Sequence, residues 1–79
     1  MANYNEYEGF LRPARSGSGR ASINGDIELH AGSWIAIRHG TWTEPGRLEY
    51  DLWHNPIFYS YDNKPGRPLR FGLEVITRR

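Results

Sequence analysis

Residues 34–54, WIAIRHGTWTEPGRLEYDLWH, decide the fold class of this chain. The first part, residues 34–39, is apolar and β-branched enough for a central strand. Glu44-Pro45-Gly46 has the composition of a turn, because proline presets φ at one central position and glycine tolerates a positive φ at the next. Residues 47–54 then alternate, which would place Leu48, Tyr50 and Leu52 on one face and Arg47, Glu49, Asp51 and Trp53 on the other. The stretch therefore predicts a central antiparallel hairpin that turns at Glu44-Pro45-Gly46.

The remaining chain carries strand and turn signals and lacks a helical period. Asn24-Gly25 is the dipeptide that best tolerates the positive φ angles of a two-residue hairpin turn. Gly and Pro interrupt every window that could form a helix. Further short strands are expected over residues 4–11, 20–23, 26–30, 57–61 and 69–77, the last with Leu69, Phe71, Leu73 and Val75 inward. We therefore predict an all-β fold, either a small antiparallel barrel or a strongly curled sheet, with about five to six short strands and no long helix.

Length and composition allow one small domain over residues 1–79. A chain of this length buries only about 60–65% of the surface of its unfolded form, so its core is thin. With no cysteine, the chain can form neither a disulfide nor a thiolate zinc site. Three Trp, five Tyr and three Phe exceed what such a core needs, which leaves aromatic side chains for an interface. Residues 12–22, RPARSGSGRAS, are expected to form a flexible loop within the domain.

The N-terminal residues and the hydropathy pattern bear on the location of the protein. Residues 1–8 contain neither a basic segment nor an apolar one, so no secretory signal peptide is expected. No apolar run is long enough to cross a membrane. We therefore expect a soluble, cytoplasmic protein, and nothing in the sequence calls for a cofactor.

Catalytic groups are scarce in the sequence. His30, His39 and His54 do not have the spacing of a metal site. Glu49 and Asp51 would project from one strand face beside an aromatic ring, which a glycosidase could use but which any solvated hairpin face also shows. No cysteine and no Gly-x-Ser-x-Gly motif supplies a nucleophile. We therefore expect no enzyme activity and no metal site.

Arginine and aromatic residues give the strongest functional signal. Arginine suits bidentate contacts with carboxylate or phosphate, and Trp and Tyr commonly anchor interfaces. The segment 16–20, SGSGR, could form an anion-binding nest of backbone N–H groups, or it could be a plain mobile loop. The residues that we expect to bind a partner are Arg12, Arg15, Arg20, Trp42, Trp53, Tyr59, Tyr61, Arg67 and Arg70.

Two functions fit these residues. The first is a non-enzymatic protein that occupies a surface of a larger protein or nucleoprotein complex. The chain carries ten basic and nine acidic residues, so it offers charges of both signs to a protein partner. Small chains of this character are common among phage and mobile-element inhibitors of host defence, anti-CRISPR proteins included, an analogy of size and composition that no motif supports. The alternative is a nucleic-acid-binding β module, OB-like or SH3-like, in which arginines contact phosphates and aromatic rings stack on bases. Acidic residues in the middle strands count against this alternative.

Overall fold

A computed structural model describes residues 4–79; residues 1–3, part of the stretch considered for a signal peptide, lie outside it. The described residues form β1 (Glu6–Pro13), β2 (Ala21–Ile23), β3 (Ile27–Glu28), β4 (Trp34–His39), β5 (Trp42–Tyr50), β6 (Pro56–Ser60), β7 (Arg67–Pro68) and β8 (Glu74–Arg78). The predicted all-β class without a long helix is confirmed, but the predicted five to six strands are too few, because residues 4–79 contain eight. β3 and β7 have two residues each, which is too short to produce an alternating pattern.

All eight strands belong to one antiparallel sheet with the order β3-β2-β1-β8-β4-β5-β6-β7. β1 changes partner along its length, since residues 6–10 pair with β8 and residues 11–13 pair with β2. The edge strands β3 and β7 do not pair with each other, so the predicted barrel is wrong. The sheet is instead open and strongly curled. Three strands separate β2 from β5 in the order, yet Ala21 N in β2 donates a hydrogen bond to Tyr50 Oη in β5 at 3.0 Å.

Asn24-Gly25 forms the predicted turn between β2 and β3. Asn24 and Gly25 have φ angles of 57° and 89°, and Asp26 N donates to Ile23 O at 3.2 Å. Asn24 also fastens the turn to β1, because Phe10 N donates to Asn24 Oδ1 at 2.9 Å. The dipeptide therefore sets both the local reversal and its position against the neighbouring strand.

The central hairpin joins the predicted strands through a different turn. β4 and β5 pair along the whole of β4. The chain reverses at Gly40-Thr41, where Gly40 has a φ of 65°, as the first central residue of a type II′ turn requires. The predicted turn at Glu44-Pro45-Gly46 is wrong, because these residues lie inside β5.

Close packing explains why Pro45 and Gly46 occur in the middle of a strand. A Cβ atom at Gly46 would lie 2.7 Å from the Phe58 ring and would also overlap the carbonyl oxygen of Tyr59. Only glycine lets β5 approach β6 at this point. Pro45 supplies no N–H to the ladder, but its carbonyl oxygen accepts a hydrogen bond from Tyr61 N at 3.2 Å. The Pro-Gly pair therefore serves strand packing and not chain reversal.

One hydrophobic cluster forms the core. Its buried members are Leu11, Ala21, Ile23, Leu29, Ile35, Ile37, Leu48, Phe58, Leu69 and Val75. Three residues predicted to point inward, Leu48, Leu69 and Val75, belong to this cluster, and Tyr50 and Leu73 pack against it while partly buried. Two such predictions are wrong, because Leu52 and Phe71 are exposed.

Leu52 and Phe71 are exposed because the strands are shorter than the apolar alternation: β5 ends before Leu52, and β8 begins after Phe71. β5 ends at Tyr50, so Leu52 lies in the turn before β6. Phe71 precedes Gly72, whose φ of 99° and hydrogen bond to Leu11 O at 2.8 Å redirect the chain before β8. Alternating hydrophobicity therefore overestimates the length of both strands. Residues 4–79 include no helix of the length and apolar character needed to cross a membrane.

Candidate functional site

Five of the nine predicted binding residues separate into two groups at opposite ends of β5. Trp42 lies where the β4–β5 hairpin turns, and Arg67 and Arg70 line a cavity at this end together with residues of β4. Trp53 lies in the turn that follows the other end of β5. Arg20 lines a second cavity, to which His54 and Asn55 of the same turn also contribute. The structure therefore offers two candidate surfaces instead of one.

The other predicted binding residues line neither cavity. The guanidinium of Arg47 lies 4.7 Å from the centre of the Tyr59 ring and covers one face of it. Tyr61 is exposed after the end of β6. Arg12 is exposed in β1, and Arg15 lies 2.7 Å from Asp26.

Residues 51–55, which we name the Leu52-Trp53 turn, expose two large apolar side chains. Leu52 is 95% exposed and Trp53 is 79% exposed. Oδ1 of Asp51 accepts hydrogen bonds from Trp53 N at 2.9 Å and from Asn55 N at 2.8 Å. Asp51 N also donates to Asn55 O at 3.0 Å, and His54 N donates to Asp51 O at 2.9 Å. The hydrogen bonds to the carboxylate, above all that from the Asn55 N–H, hold the pKa of the Asp51 carboxyl below its ordinary value. The turn is thus a fixed support for both side chains.

A cavity of about 380 Å³ adjoins this turn. Its lining includes Pro13, Gly19, Arg20, His54 and Phe71. His54 belongs to both the turn and the cavity, and its ring stacks on Tyr50 with the ring centres 4.5 Å apart. The half-exposed Phe71 forms an apolar wall. The turn and the cavity are therefore adjacent and share His54 and Asn55.

The loop predicted over residues 12–22 is shorter in the structure. Its two ends continue the strand pairing of β1 with β2, and Ser22 Oγ donates to Arg12 O at 3.0 Å. The loop itself comprises residues 14–20. Its flexibility stays a prediction.

The Gly/Ser loop already holds an anion, which the chain itself supplies. Ser16 Oγ and Ser18 Oγ each donate a hydrogen bond of 2.8 Å to the Glu28 carboxylate, and Arg20 Nη1 lies 3.6 Å from it. The Ser16 hydroxyl is the largest cause of the lowered pKa of Glu28. Two amides that a nest would present are used inside the loop, because Ser18 N donates to Ser16 Oγ and Arg20 N to Ser18 Oγ. The loop therefore binds the Glu28 carboxylate through serine hydroxyls, whereas the nest hypothesis expected backbone N–H groups to bind an external anion.

At the other end of β5, the carboxylate of Glu44 organises a cationic cluster. The Glu44 side chain is only 3% exposed. Its Oε1 accepts a hydrogen bond from Arg67 Nη2 at 2.7 Å and lies 3.0 Å from His39 Nε2. Lys64 Nζ lies 3.6 Å from Oε2, which has no hydrogen-bond partner within residues 4–79. The Arg67 hydrogen bond is the main cause that lowers the pKa of Glu44 to about 2, so the carboxylate is ionised at neutral pH.

An exposed tryptophan and a second cavity flank this cluster. Trp42 stacks on His39 with the ring centres 4.3 Å apart. Beside His39 lies a cavity of about 230 Å³, which we name the Arg70 cavity. It is lined by Ile37, His39, Arg67, Pro68, Leu69, Arg70 and Leu73. Ile37 and Leu69 are buried and form an aliphatic floor, whereas the exposed side chain of Arg70 lies at the rim.

The candidate catalytic groups do not assemble into one site. Within the described part of the chain, no group of three His, Asp or Glu residues could hold a metal ion. Glu49 Oε2 accepts a hydrogen bond from Arg47 Nε at 3.1 Å, and Asp51 uses both carboxylate oxygens in its own turn. Asp51 also lies beyond the end of β5, so the predicted strand face that Glu49, Asp51 and Trp53 would share does not exist.

Sequence reasoning missed Leu52 and Glu44 as site residues. Leu52 continues the apolar alternation of β5, and this alternation predicts a core position for it. The turn formers Asp51 and Asn55-Pro56 on either side were the signal that could have corrected this. Glu44 was assigned to a turn, and no sequence pattern connects it with Arg67.

Comparison with known proteins gives no match: no protein-family model, no curated protein and no solved structure matches this chain. The function therefore has to be argued from the two candidate surfaces.

Proposed function

We propose that the chain is a non-enzymatic, cytoplasmic binding protein that docks on a larger protein complex through the Leu52-Trp53 turn. The observation that carries this proposal is the exposure of Leu52 and Trp53 on a turn that Asp51 holds in place. Burial of each side chain in a partner would contribute about 1.5–3 kcal/mol.

Preorganisation supports a binding role for this turn. A fixed backbone loses little conformational entropy on binding, so more of the contact free energy is retained in the affinity. Tryptophan is also among the residues that most often dominate interfaces. The adjoining cavity, with Phe71 in its wall, offers a place for an apolar side chain of the partner. An exposed tryptophan next to a cavity is an arrangement that fits binding to another protein.

The ion pairs of the arginines favour a protein partner over nucleic acid. Arg15 pairs with Asp26, Arg20 with Glu28, and Arg67 with Glu44. A phosphate backbone would have to compete with these carboxylates at three of the five arginines that the nucleic-acid alternative requires. By the analogy of size and composition, complexes of host defence, the targets of anti-CRISPR-like inhibitors, are the first partners to test.

Affinity capture tests the proposal. Wild-type, Trp53→Ala and Tyr4→Ala chains are immobilised and exposed to nuclease-treated lysate of the host. We expect a protein that binds the wild type and Tyr4→Ala but not Trp53→Ala, since Tyr4 is a half-exposed aromatic that lines neither cavity. With the purified partner, Trp53→Ala should weaken affinity about 30-fold or more.

Folding and salt dependence complete the test. Trp53 is exposed, so the variant should keep the circular dichroism spectrum and melting temperature of the wild type. Affinity for the partner should fall only slightly between about 50 and 200 mM salt, because binding to a protein does not neutralise the row of phosphates that makes nucleic-acid binding depend steeply on salt. Equal capture by Trp53→Ala would contradict the proposal. Tight binding to single-stranded DNA or RNA with a steep salt dependence would support the nucleic-acid alternative instead.

A further inference from the structure

The Arg70 cavity combines an aliphatic floor with an excess of positive charge, and it does so independently of the Leu52-Trp53 turn. Ile37 and Leu69 are almost fully buried beneath it, and Leu73 packs partly buried against the same core. Its volume of about 230 Å³ is small for a drug-sized ligand but adequate for one large apolar side chain. The recess therefore fits a single side chain better than a cofactor.

The charges around the cavity are not balanced. Lys64 and Arg67 contact one carboxylate, that of Glu44, and Arg70 pairs with no acidic side chain within residues 4–79. The cavity and its surroundings thus carry three cationic side chains and one buried anion. Arg67 uses Nη2 for Glu44, which fixes the orientation of its guanidinium while Nη1 and Nε have no acidic partner among the described residues. Oriented guanidinium groups of this kind favour carboxylate ligands.

We infer that the Arg70 cavity binds an acidic segment of a protein, with one leucine- or phenylalanine-sized side chain on the aliphatic floor and flanking carboxylates on Arg67 and Arg70. The positive charges at the cavity favour a negatively charged ligand, and its aliphatic floor favours an apolar side chain over a nucleobase. Trp42 is an exposed aromatic side chain beside this cluster, and His39 already covers part of it by stacking. A nucleic acid strand would need several free aromatic faces in sequence.

A titration of the ¹⁵N-labelled full chain tests this inference. The probe is a capped pentapeptide with a central leucine and two glutamates on each side. We expect saturable shifts at the amides of Ile37, Leu69 and Arg70. A matched peptide with serine in place of leucine should bind about tenfold more weakly, because it leaves the floor of the cavity uncovered.

Two arginine variants provide the matched comparison. Arg70→Gln should weaken peptide binding about tenfold, since it removes a charge-assisted contact. Arg79→Gln should bind like the wild type, because Arg79 is also exposed and without an acidic partner in the described chain but does not line the cavity. Trp53→Ala should retain peptide binding, which separates this site from the proposed docking turn.

Several outcomes would overturn the inference. The absence of shifts at millimolar peptide would do so, as would equal binding of the leucine and serine peptides. Equal losses in Arg70→Gln and Arg79→Gln would show only a general attraction of charge. Tighter binding of an oligo-deoxythymidine than of the peptide, with shifts at the same amides, would assign the cavity to nucleic acid.

Discussion

Arg67 Nη2 lies 2.7 Å from Glu44 Oε1, and this ion pair ties the edge strand β7 to β5 across β6. β7 pairs with β6 through only two residues, Arg67 and Pro68. Proline supplies no N–H to a ladder, so the backbone contributes little to holding this strand. The ionised carboxyl group of Glu44 therefore contributes to the attachment of β7, together with the hydrogen bond from Leu69 N to Pro56 O at 3.0 Å.

Glu44→Gln should lower the free energy of unfolding by about 2 kcal/mol at pH 7, because it removes the charge that Arg67 and Lys64 contact. The folded-state pKa of Glu44 is about 2, below the ordinary value of 4.5. Its stabilisation is therefore complete above the ordinary value and is lost as the pH falls towards 2. Urea denaturation from pH 7 to pH 2 should show the wild type and the variant converging.

Glu49→Gln is the control for this measurement. The ion pair of Glu49 with Arg47 is largely exposed to solvent, so its loss should change stability by about 0.5 kcal/mol or less. A stability difference between wild type and Glu44→Gln that stays constant from pH 7 to pH 2 would contradict the role given to the ionised carboxylate.

Gly46→Ala should destabilise the protein by about 1–3 kcal/mol, since the new Cβ atom would press on the Phe58 ring and on the backbone of Tyr59. Gly17→Ala is the comparison. Nothing lies within 4 Å of a Cβ atom at Gly17, and only its φ of 80° opposes the substitution, at about 1 kcal/mol. Thermal and urea denaturation of both variants measure the difference. A smaller effect at Gly46 than at Gly17 would mean that β5 and β6 can separate easily.

Tyr50→Phe should cost about 1–3 kcal/mol of stability, because the Tyr50 hydroxyl joins two distant backbone groups. It donates to Leu29 O at 2.6 Å and accepts from Ala21 N at 3.0 Å. Tyr61→Phe should leave stability almost unchanged, since its hydroxyl makes no hydrogen bond within residues 4–79 and the ring is exposed. Equal melting temperatures of the two variants would show that the Tyr50 hydroxyl does not stabilise the curled sheet.

Glu28→Ala should release the Gly/Ser loop. Ser16 and Ser18 would lose their common acceptor, so the amides of Ser18 and Arg20 should exchange with solvent faster. Asp26→Ala, which removes only the exposed partner of Arg15, should leave these amides protected. Amide hydrogen exchange followed by NMR measures these rates. Unchanged rates in Glu28→Ala would contradict the role given to the Glu28 carboxylate in holding the loop.

A local sequence signal predicted the structure correctly where only one kind of backbone conformation suits that signal. Asn24-Gly25 forms the predicted turn because two consecutive positive φ angles suit few other dipeptides. Pro45-Gly46 misled the prediction because glycine also serves where two strands approach closely. Only the contact with Phe58, which depends on how β5 and β6 are aligned, distinguishes the two cases.

The site was predictable only in part, for a similar reason. Trp53 was selected because the chain has more aromatic residues than a thin core requires, although its place in a turn was not foreseen. Its neighbour Leu52 was not selected, because an apolar side chain in an alternating segment is usually buried. The contact between Glu44 and Arg67 spans 23 residues and depends on the strand order, which no local pattern specifies.

The two-residue edges of the sheet determine how other chains can approach it. β3 and β7 offer very short rows of free backbone groups, β7 contains Pro68, and Arg79 Nη2 donates to Glu28 O in β3 at 2.5 Å. Such edges are poor templates for the addition of a further strand and resist edge-to-edge aggregation. Concentrated samples should therefore stay free of cross-β fibres. A partner that approaches β3 or β7 would therefore contact side chains, because these two edges offer little room for an added strand.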